Sequence, residues 1–239
     1  MKRLGLPSPS LTSILLIGIV VTGIALIESW EGWPYAPFPI VHGLLALLVP
    51  LPFDTFRLRN PFSELRAHLR PLLFVAFLAV VFMCCFFLAY STFLKSFAKV
   101  GDPSWDLIAE YRLLGKLYVD RYGWTTTLGV GYLFVGVWPM FGEEFFYRGF
   151  LFNGLKRYVS PAFAFLISGA LFGLRHSFQL VYLWPVYPLV SGVAYFIWAL
   201  GFALLWTWAY HRSQSLWLCI ATHAANLVLA PLVFGILSP

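Results

Sequence analysis

Residues 71–94 read PLLFVAFLAVVFMCCFFLAYSTFL, a run with no charged side chain. A helix needs about 20 apolar residues to cross a hydrocarbon core of roughly 30 Å, so this run predicts a membrane-spanning helix. The rest of the chain has the same character, because 60% of its 239 residues are hydrophobic and 11% are charged. Soluble domains carry about 25% charged residues. We therefore expect most of this chain to be surrounded by lipid.

Six further apolar runs are separated by short polar or basic stretches. The seven runs lie at about 11–29, 36–53, 71–94, 131–155, 161–183, 186–210 and 215–236. They predict an all-α, polytopic transmembrane bundle of seven spans. An eighth helix is predicted over 102–122, where an apolar stripe opposes charged residues, and its charge indicates a position at the membrane surface.

The net charge of +6 could indicate a nucleic-acid partner, but the basic residues lie at the ends of the apolar runs. Such a distribution is typical of topology signals, so we expect a lipid bilayer and no nucleic acid. If the seven spans alternate, most basic clusters fall on one side, which should be cytoplasmic. The three cysteines lie within apolar runs without metal-ligand spacing and are interpreted as packing residues.

The run 131–155 contains the sequence Glu143-Glu144-Phe-Phe-Tyr-Arg148 near its middle. A charged residue at the bilayer centre costs about 2.5–3.5 kcal/mol on the insertion scale, so such residues usually have a function. Glu144 and Arg148 are four residues apart and are predicted to form a structural ion pair. Glu143 lies about 100° around the helix and is predicted to be the unpaired, functional carboxylate.

Two histidines in other runs fall at overlapping depths. His176 lies in the run 161–183, and His223 lies in the last run with Asn226 three residues later, on the same helix face. A carboxylate with an imidazole can activate a water molecule, and a second imidazole with an amide can hold an oxyanion. For a lone histidine a packed core position is the ordinary interpretation, but the common depth favours hydrolysis of a peptide bond.

Other intramembrane protease signatures are missing. The chain has no HExxH, no GxSG, and its nearest approach to an aspartyl GxGD, over 99–102, lacks the first glycine.

These residues resemble the CAAX prenyl endopeptidase and bacteriocin-processing family, the type II CAAX proteases. Its EExxxR motif stands here as Glu143 to Arg148, and its FxxxH motif as Phe172 to His176. Its third motif, a histidine with an asparagine four residues later, is one residue shorter here, at His223 and Asn226. The resemblance covers roughly 124–236. It divides the chain into N-terminal spans with an amphipathic surface segment, 1–123, and a catalytic membrane core, 124–239.

The resemblance implies an intramembrane endopeptidase in which Glu143 and His176 activate water. His223 and Asn226 would then stabilise the oxyanion, while Glu144 and Arg148 would support the site. The implied substrate is a membrane-anchored protein or peptide: a CAAX-type tail, a C-terminal sorting tail or a leader peptide. The implied location is the plasma membrane of a bacterium or archaeon, as a multi-pass protein.

Several alternatives remain open at this point. We expect no metal cofactor, because an asparagine beside the second histidine suits a hydrogen-bond donor, with zinc as the alternative. Arg175 could pair with Glu143 or Glu144, or bind the carboxylate of a substrate tail. The competing function is a non-catalytic immunity or assembly protein of the same fold. A transporter would have broken helices in matched halves, which the sequence does not show.

Overall fold

The computed structural model describes residues 7–31, 38–53, 55, 60–97, 138–177 and 188–237. Within these ranges every regular element is a helix and there is no strand, which confirms the all-α prediction. The amphipathic helix expected over 102–122 lies outside the described residues. The division of the chain near residue 124 also falls outside them and stays a prediction.

The described helices follow the apolar runs closely. We number them α1 (Leu11–Glu31), α2 (Phe38–Leu48), α3 (Pro61–Ala67), α4 (Leu69–Phe97), α5 (Trp138–Glu143, Glu144–Phe152 and Asn153–Leu155 in succession), α6 (Pro161–His176), α7 (Pro188–Ser213) and α8 (Leu216–Leu237). The short helix α3 was not expected, although it has strong local signals. Asn60 caps its N-terminus by accepting a hydrogen bond from the Phe62 amide at 3.0 Å, and Pro61 occupies the first turn.

Among the described residues, two helices are long and apolar enough to cross a membrane on their own. The qualifying segments are Leu69–Phe86 in α4 and Gly192–Ser213 in α7, and Leu11–Ile27 in α1 is a shorter apolar helix. The outer face of α4 exposes large apolar side chains, including Leu73 and Phe77. Seven or eight spans remain a prediction.

Helix α5 changes its winding at the acidic motif. Trp138–Glu143 is α-helical, Glu144–Phe152 is a π-helix with i→i+5 hydrogen bonds, and Asn153–Leu155 returns to α. All residues of the π segment are buried. Neighbouring helices contact it through polar groups: Ser168 donates to the Tyr147 carbonyl at 2.8 Å, and the Tyr147 hydroxyl lies 3.2 Å from Thr22 Oγ1. Such segments frequently occur at functional sites.

Close packing between helices surrounds this segment. Helix α2 packs against the start of α5, α6 packs against α7 and α1, and α8 packs against α4 and α7. Lipid offers no hydrophobic driving force between helices, so small residues that let backbones approach are important. A Cβ atom on Gly142 would collide with the backbone oxygen of Gly43, so α2 and α5 meet there without intervening side chains.

A tight link fixes α7 against α8. Gln214 has a positive φ of 55°, and its backbone N–H donates to the Tyr210 carbonyl at 2.7 Å, which ends α7 in a left-handed residue. Ser215 follows, and its hydroxyl accepts from the Leu218 amide at the start of α8 at 3.3 Å. The link holds His223 on α8 beside Trp206 on α7, with ring centroids 4.0 Å apart.

Candidate active site

Four helices bring charged and polar side chains into one buried cluster. Helix α5 contributes Glu143, Glu144 and Arg148, and α6 contributes Arg175 and His176. Helix α8 contributes His223. Helix α2 contributes His42, which the sequence interpretation did not include.

The first half of this cluster is centred on Glu144. Its Oε1 accepts from Arg148 Nη1 at 3.1 Å and from His223 Nδ1 at 2.8 Å. The Glu144 and Arg148 side chains are completely buried, so the charges are shielded from water. Arg148 also donates from Nη2 to the Ala203 carbonyl at 3.4 Å, and its guanidinium carbon lies 4.5 Å from the centre of the Phe172 ring. The structure thus contains the expected Glu144–Arg148 pair and extends it to His223.

The second half of the cluster is centred on Arg175. Its Nη2 lies 2.7 Å from Glu143 Oε1, and both side chains are 5% exposed. The helix-face argument predicted that Glu143 would be unpaired, but in the structure it forms an ion pair with Arg175. That argument considered charges on the same helix, whereas the partner comes from α6, 32 positions further along the chain.

Arg175 also contacts two histidines. Its Nε donates to His42 Nε2 at 2.9 Å, and its Nη1 lies 2.9 Å from His176 Nε2. The Nδ1 of His176 lies 2.9 Å from the Phe172 carbonyl, which can only accept, so the ring proton is on Nδ1. His176 Nε2 is then an acceptor for the guanidinium.

Glu143 and His176 are thereby tied to one planar group. Because both bond to the same guanidinium, Glu143 Oε1 and His176 Nε2 lie within about 8 Å of each other. The structure brings together the acid and the imidazole that the sequence selected.

The guanidinium of Arg175 is engaged through all three of its nitrogens. Of the two interpretations left open for this residue, the contacts correspond to pairing with Glu143. Binding a substrate carboxylate would require at least one of the three contacts to break.

Asn226 lies on α8 one turn beyond His223. Its side chain is buried, and its Oδ1 has no hydrogen-bond partner among the residues that the structure describes. Glu144 Oε2 and Arg148 Nε are also buried without a hydrogen-bond partner among the described residues. Buried polar atoms of this kind usually bind water or a ligand.

His42 could have been selected from the sequence by the depth argument that selected His176 and His223. It is a histidine within the apolar run 36–53, it is 1% exposed, and it contacts Arg175. It belongs to none of the three motifs, and the sequence prediction did not include it. The signal was present but was not used.

Zinc, the alternative cofactor, would need three protein ligands and one open position. Among the described residues no group of three His, Cys, Asp or Glu side chains is placed to hold one. The nitrogen of His176 that could ligate a metal accepts a hydrogen bond from Arg175. A guanidinium in the position between the acid and the imidazole would repel a cation.

Comparison with known proteins gives a family match over part of the chain. Residues 125–229, somewhat less than half of the chain, match the family described as type II CAAX prenyl endopeptidase Rce1-like. No curated protein and no solved structure matches the chain. The matched segment contains both carboxylates of α5, Arg148, His176, His223 and Asn226, and the family is one of membrane proteases. The resemblance predicted from the motifs is thus confirmed, since residues 125–229 match the Rce1-like family of type II CAAX prenyl endopeptidases.

Proposed function

We propose that this protein is an intramembrane endopeptidase in which Glu143 and His176 activate a water molecule for attack on a peptide bond. One observation carries the proposal. A carboxylate and an imidazole from two different helices bond to the same buried guanidinium, that of Arg175. An ion pair that only stabilised packing would not need a histidine with a fixed tautomer and its Nε2 lone pair directed at the pair.

The water molecule is proposed to insert between Arg175 Nη1 and His176 Nε2. It would donate one hydrogen bond to His176 and one to Glu143, and it would accept one from Arg175. Its remaining lone pair is then free to attack a carbonyl carbon. The displacement needed is about 3 Å, the width of one hydrogen bond to water.

His223 is proposed to stabilise the oxyanion. Its Nδ1 proton is directed at Glu144, so a neutral ring would present a lone pair at Nε2 and could not donate. The oxyanion role therefore requires a ring protonated on both nitrogens, and Glu144 Oε1 lies 2.8 Å from Nδ1. Asn226 is proposed as the second donor. A single oxyanion donor contributes about 10²–10³ in rate in well-studied hydrolases.

The proposed hydrolysis has two steps, addition of water and loss of the amine. The water oxygen bonds to the carbonyl carbon while one proton passes to Glu143, and the carbonyl oxygen takes the negative charge. The carbon–nitrogen bond then breaks, and Glu143 returns the proton to the leaving amine. No metal enters the proposed reaction, because Arg175 stands where a cation would have to bind.

The substrate is proposed to be a membrane-anchored protein or peptide, with a prenylated CAAX-type tail as the first candidate, and a sorting tail or leader peptide as the others. The family assignment supports this class. We further propose that the helices form a multi-pass bundle of seven or eight spans in a bacterial or archaeal plasma membrane. Large apolar side chains are exposed on the outer face of α4, where they could contact lipid, and this supports that arrangement.

The test uses the full-length protein in proteoliposomes with internally quenched CAAX peptides, one farnesylated and one not, and a membrane-anchored peptide with a C-terminal tail. Glu143→Gln should lower kcat by about 10²–10⁴-fold, the usual contribution of a general base. Glu144→Gln, at the adjacent buried glutamate, should lower turnover per folded molecule less sharply than Glu143→Gln does.

Equal rates for the wild type and Glu143→Gln would refute the mechanism. If the wild type cleaves none of the three peptides, a non-catalytic immunity or assembly role becomes the better explanation.

A further inference from the structure

We propose that His42 on α2 is a positioning residue of this site, acting through Arg175 on Glu143 and His176. The inference rests on the proposed function. Its starting observation is the hydrogen bond from Arg175 Nε to His42 Nε2 at 2.9 Å, between side chains that are both buried. His42 lies outside the segment that matches the family, so no motif assigns it a role.

The geometry of arginine explains how His42 can act at a distance. A guanidinium is planar and holds its donors in a fixed fork, so a bond to Nε fixes the directions of Nη1 and Nη2. In this site those two nitrogens bond to His176 and Glu143. Loss of the His42 acceptor would let the guanidinium rotate away from one or both of them.

The chemistry of the His42 ring favours a specific role over packing. Because Nε2 accepts from Arg175, a neutral ring carries its proton on Nδ1. That Nδ1 is buried and has no partner within the described part of the chain. A leucine in this position would fill the space without leaving a buried donor unpaired. What the histidine adds is the acceptor for Arg175.

The backbone contact between α2 and α5 supports this role. Gly43 and Gly142 meet with no room for a Cβ atom on Gly142. Gly43 directly follows His42 in the chain, and Gly142 directly precedes Glu143. The contact therefore holds two of the three partners of Arg175 at a fixed separation.

The test compares three variants of the full-length protein with the wild type, using cleavage of a quenched, farnesylated CAAX peptide in proteoliposomes. His42→Leu should lower kcat about 10–100-fold with little change in KM, because misplacement by about 1 Å can cost 10²-fold in rate. His42→Gln offers an oxygen acceptor and should restore most of the loss. The matched control is His211→Leu, which replaces a histidine on α7 that contacts Phe152 and Phe165. This variant should keep the kcat of the wild type.

A double-mutant cycle with Arg175→Met separates positioning from general damage. If His42 acts through Arg175, adding His42→Leu to Arg175→Met should cause no further loss of kcat. Three results would each overturn the proposal. The first is a double variant whose loss of kcat is the product of the two single losses. The others are a His42→Gln variant as slow as His42→Leu, and a loss in His42→Leu no larger than in His211→Leu.

The two proposals can fail separately. Cleavage by the wild type and its loss in Glu143→Gln decide the proposed function before His42 is considered. If the wild type cleaves nothing, the same four-member cycle is measured as the shift in thermal unfolding midpoint. Additive shifts of His42→Leu and Arg175→Met would then refute the coupling on which the inference depends, and non-additive shifts would support it.

Discussion

Neutralising Glu144 should destabilise the protein far more than neutralising Glu144 and Arg148 together. Glu144→Gln leaves the guanidinium of Arg148 in a fully buried position without its carboxylate. Removing one partner of a buried pair costs about 3–5 kcal/mol, whereas replacing both by apolar groups of similar volume is often neutral.

The contacts of Arg148 place the expected cost at the lower end of that range. Arg148 keeps its bond to the Ala203 carbonyl, and its guanidinium stays 4.5 Å from the Phe172 ring centre and 5.5 Å from that of Trp206. Desolvated cation–π contacts contribute about 2 kcal/mol. We therefore expect a loss of about 3 kcal/mol for Glu144→Gln, and a loss below about 1 kcal/mol for Glu144→Gln with Arg148→Met.

The assay is unfolding of the purified proteins in one detergent, followed by Trp fluorescence. For a chain of this length about 1 kcal/mol corresponds to about 2–4 °C in Tm, so the single variant should unfold about 6–12 °C below the wild type. The double variant should recover most of that difference. If it unfolds at or below the midpoint of the single variant, charge pairing does not explain the burial of Glu144.

Three further outcomes are expected. Exhaustive chelation followed by elemental analysis should leave an active, zinc-free enzyme, and activity restored only by stoichiometric zinc would contradict this. Asn226→Ala should lower kcat about 10²–10³-fold with an unchanged Tm if its amide donates to the oxyanion, whereas an unchanged kcat would remove it from the site. Gly142→Ala should force α2 away from α5 and lower the free energy of unfolding by about 1–3 kcal/mol. An unchanged Tm would mean that the two helices can separate without loss of stability.

Most of the fold could be predicted from the apolar runs because membrane helices must satisfy their backbone hydrogen bonds internally. The run 71–94 corresponds to Leu69–Phe97, and 215–236 corresponds to Leu216–Leu237. The π segment Glu144–Phe152 could not be predicted, since every residue in it is buried and no solvent-exposed face marks a change of period. Helix α3 carries a local signal in its cap Asn60 and in Pro61, but it is not part of an apolar run.

The candidate site was predictable in its local part and not in its long-range part. The Glu144–Arg148 pair follows from spacing on one helix, and the structure contains it. The bonds of Arg175 to Glu143 and His42 depend on how α2, α5 and α6 pack, which no local pattern encodes. The roles of Glu143, His176, His223 and Asn226 stay predictions until turnover is measured.

The contact between Gly43 and Gly142 has a consequence for chimeric proteins. The family match begins at 125, yet the helix that reaches Arg175 comes from the other half of the chain. Two relatives with identical motifs could therefore differ in turnover through their first two helices alone. Exchanging those helices between relatives would alter the site without changing a motif residue. A graft of the matched segment onto foreign N-terminal helices should fold its acidic helix but orient its arginine poorly.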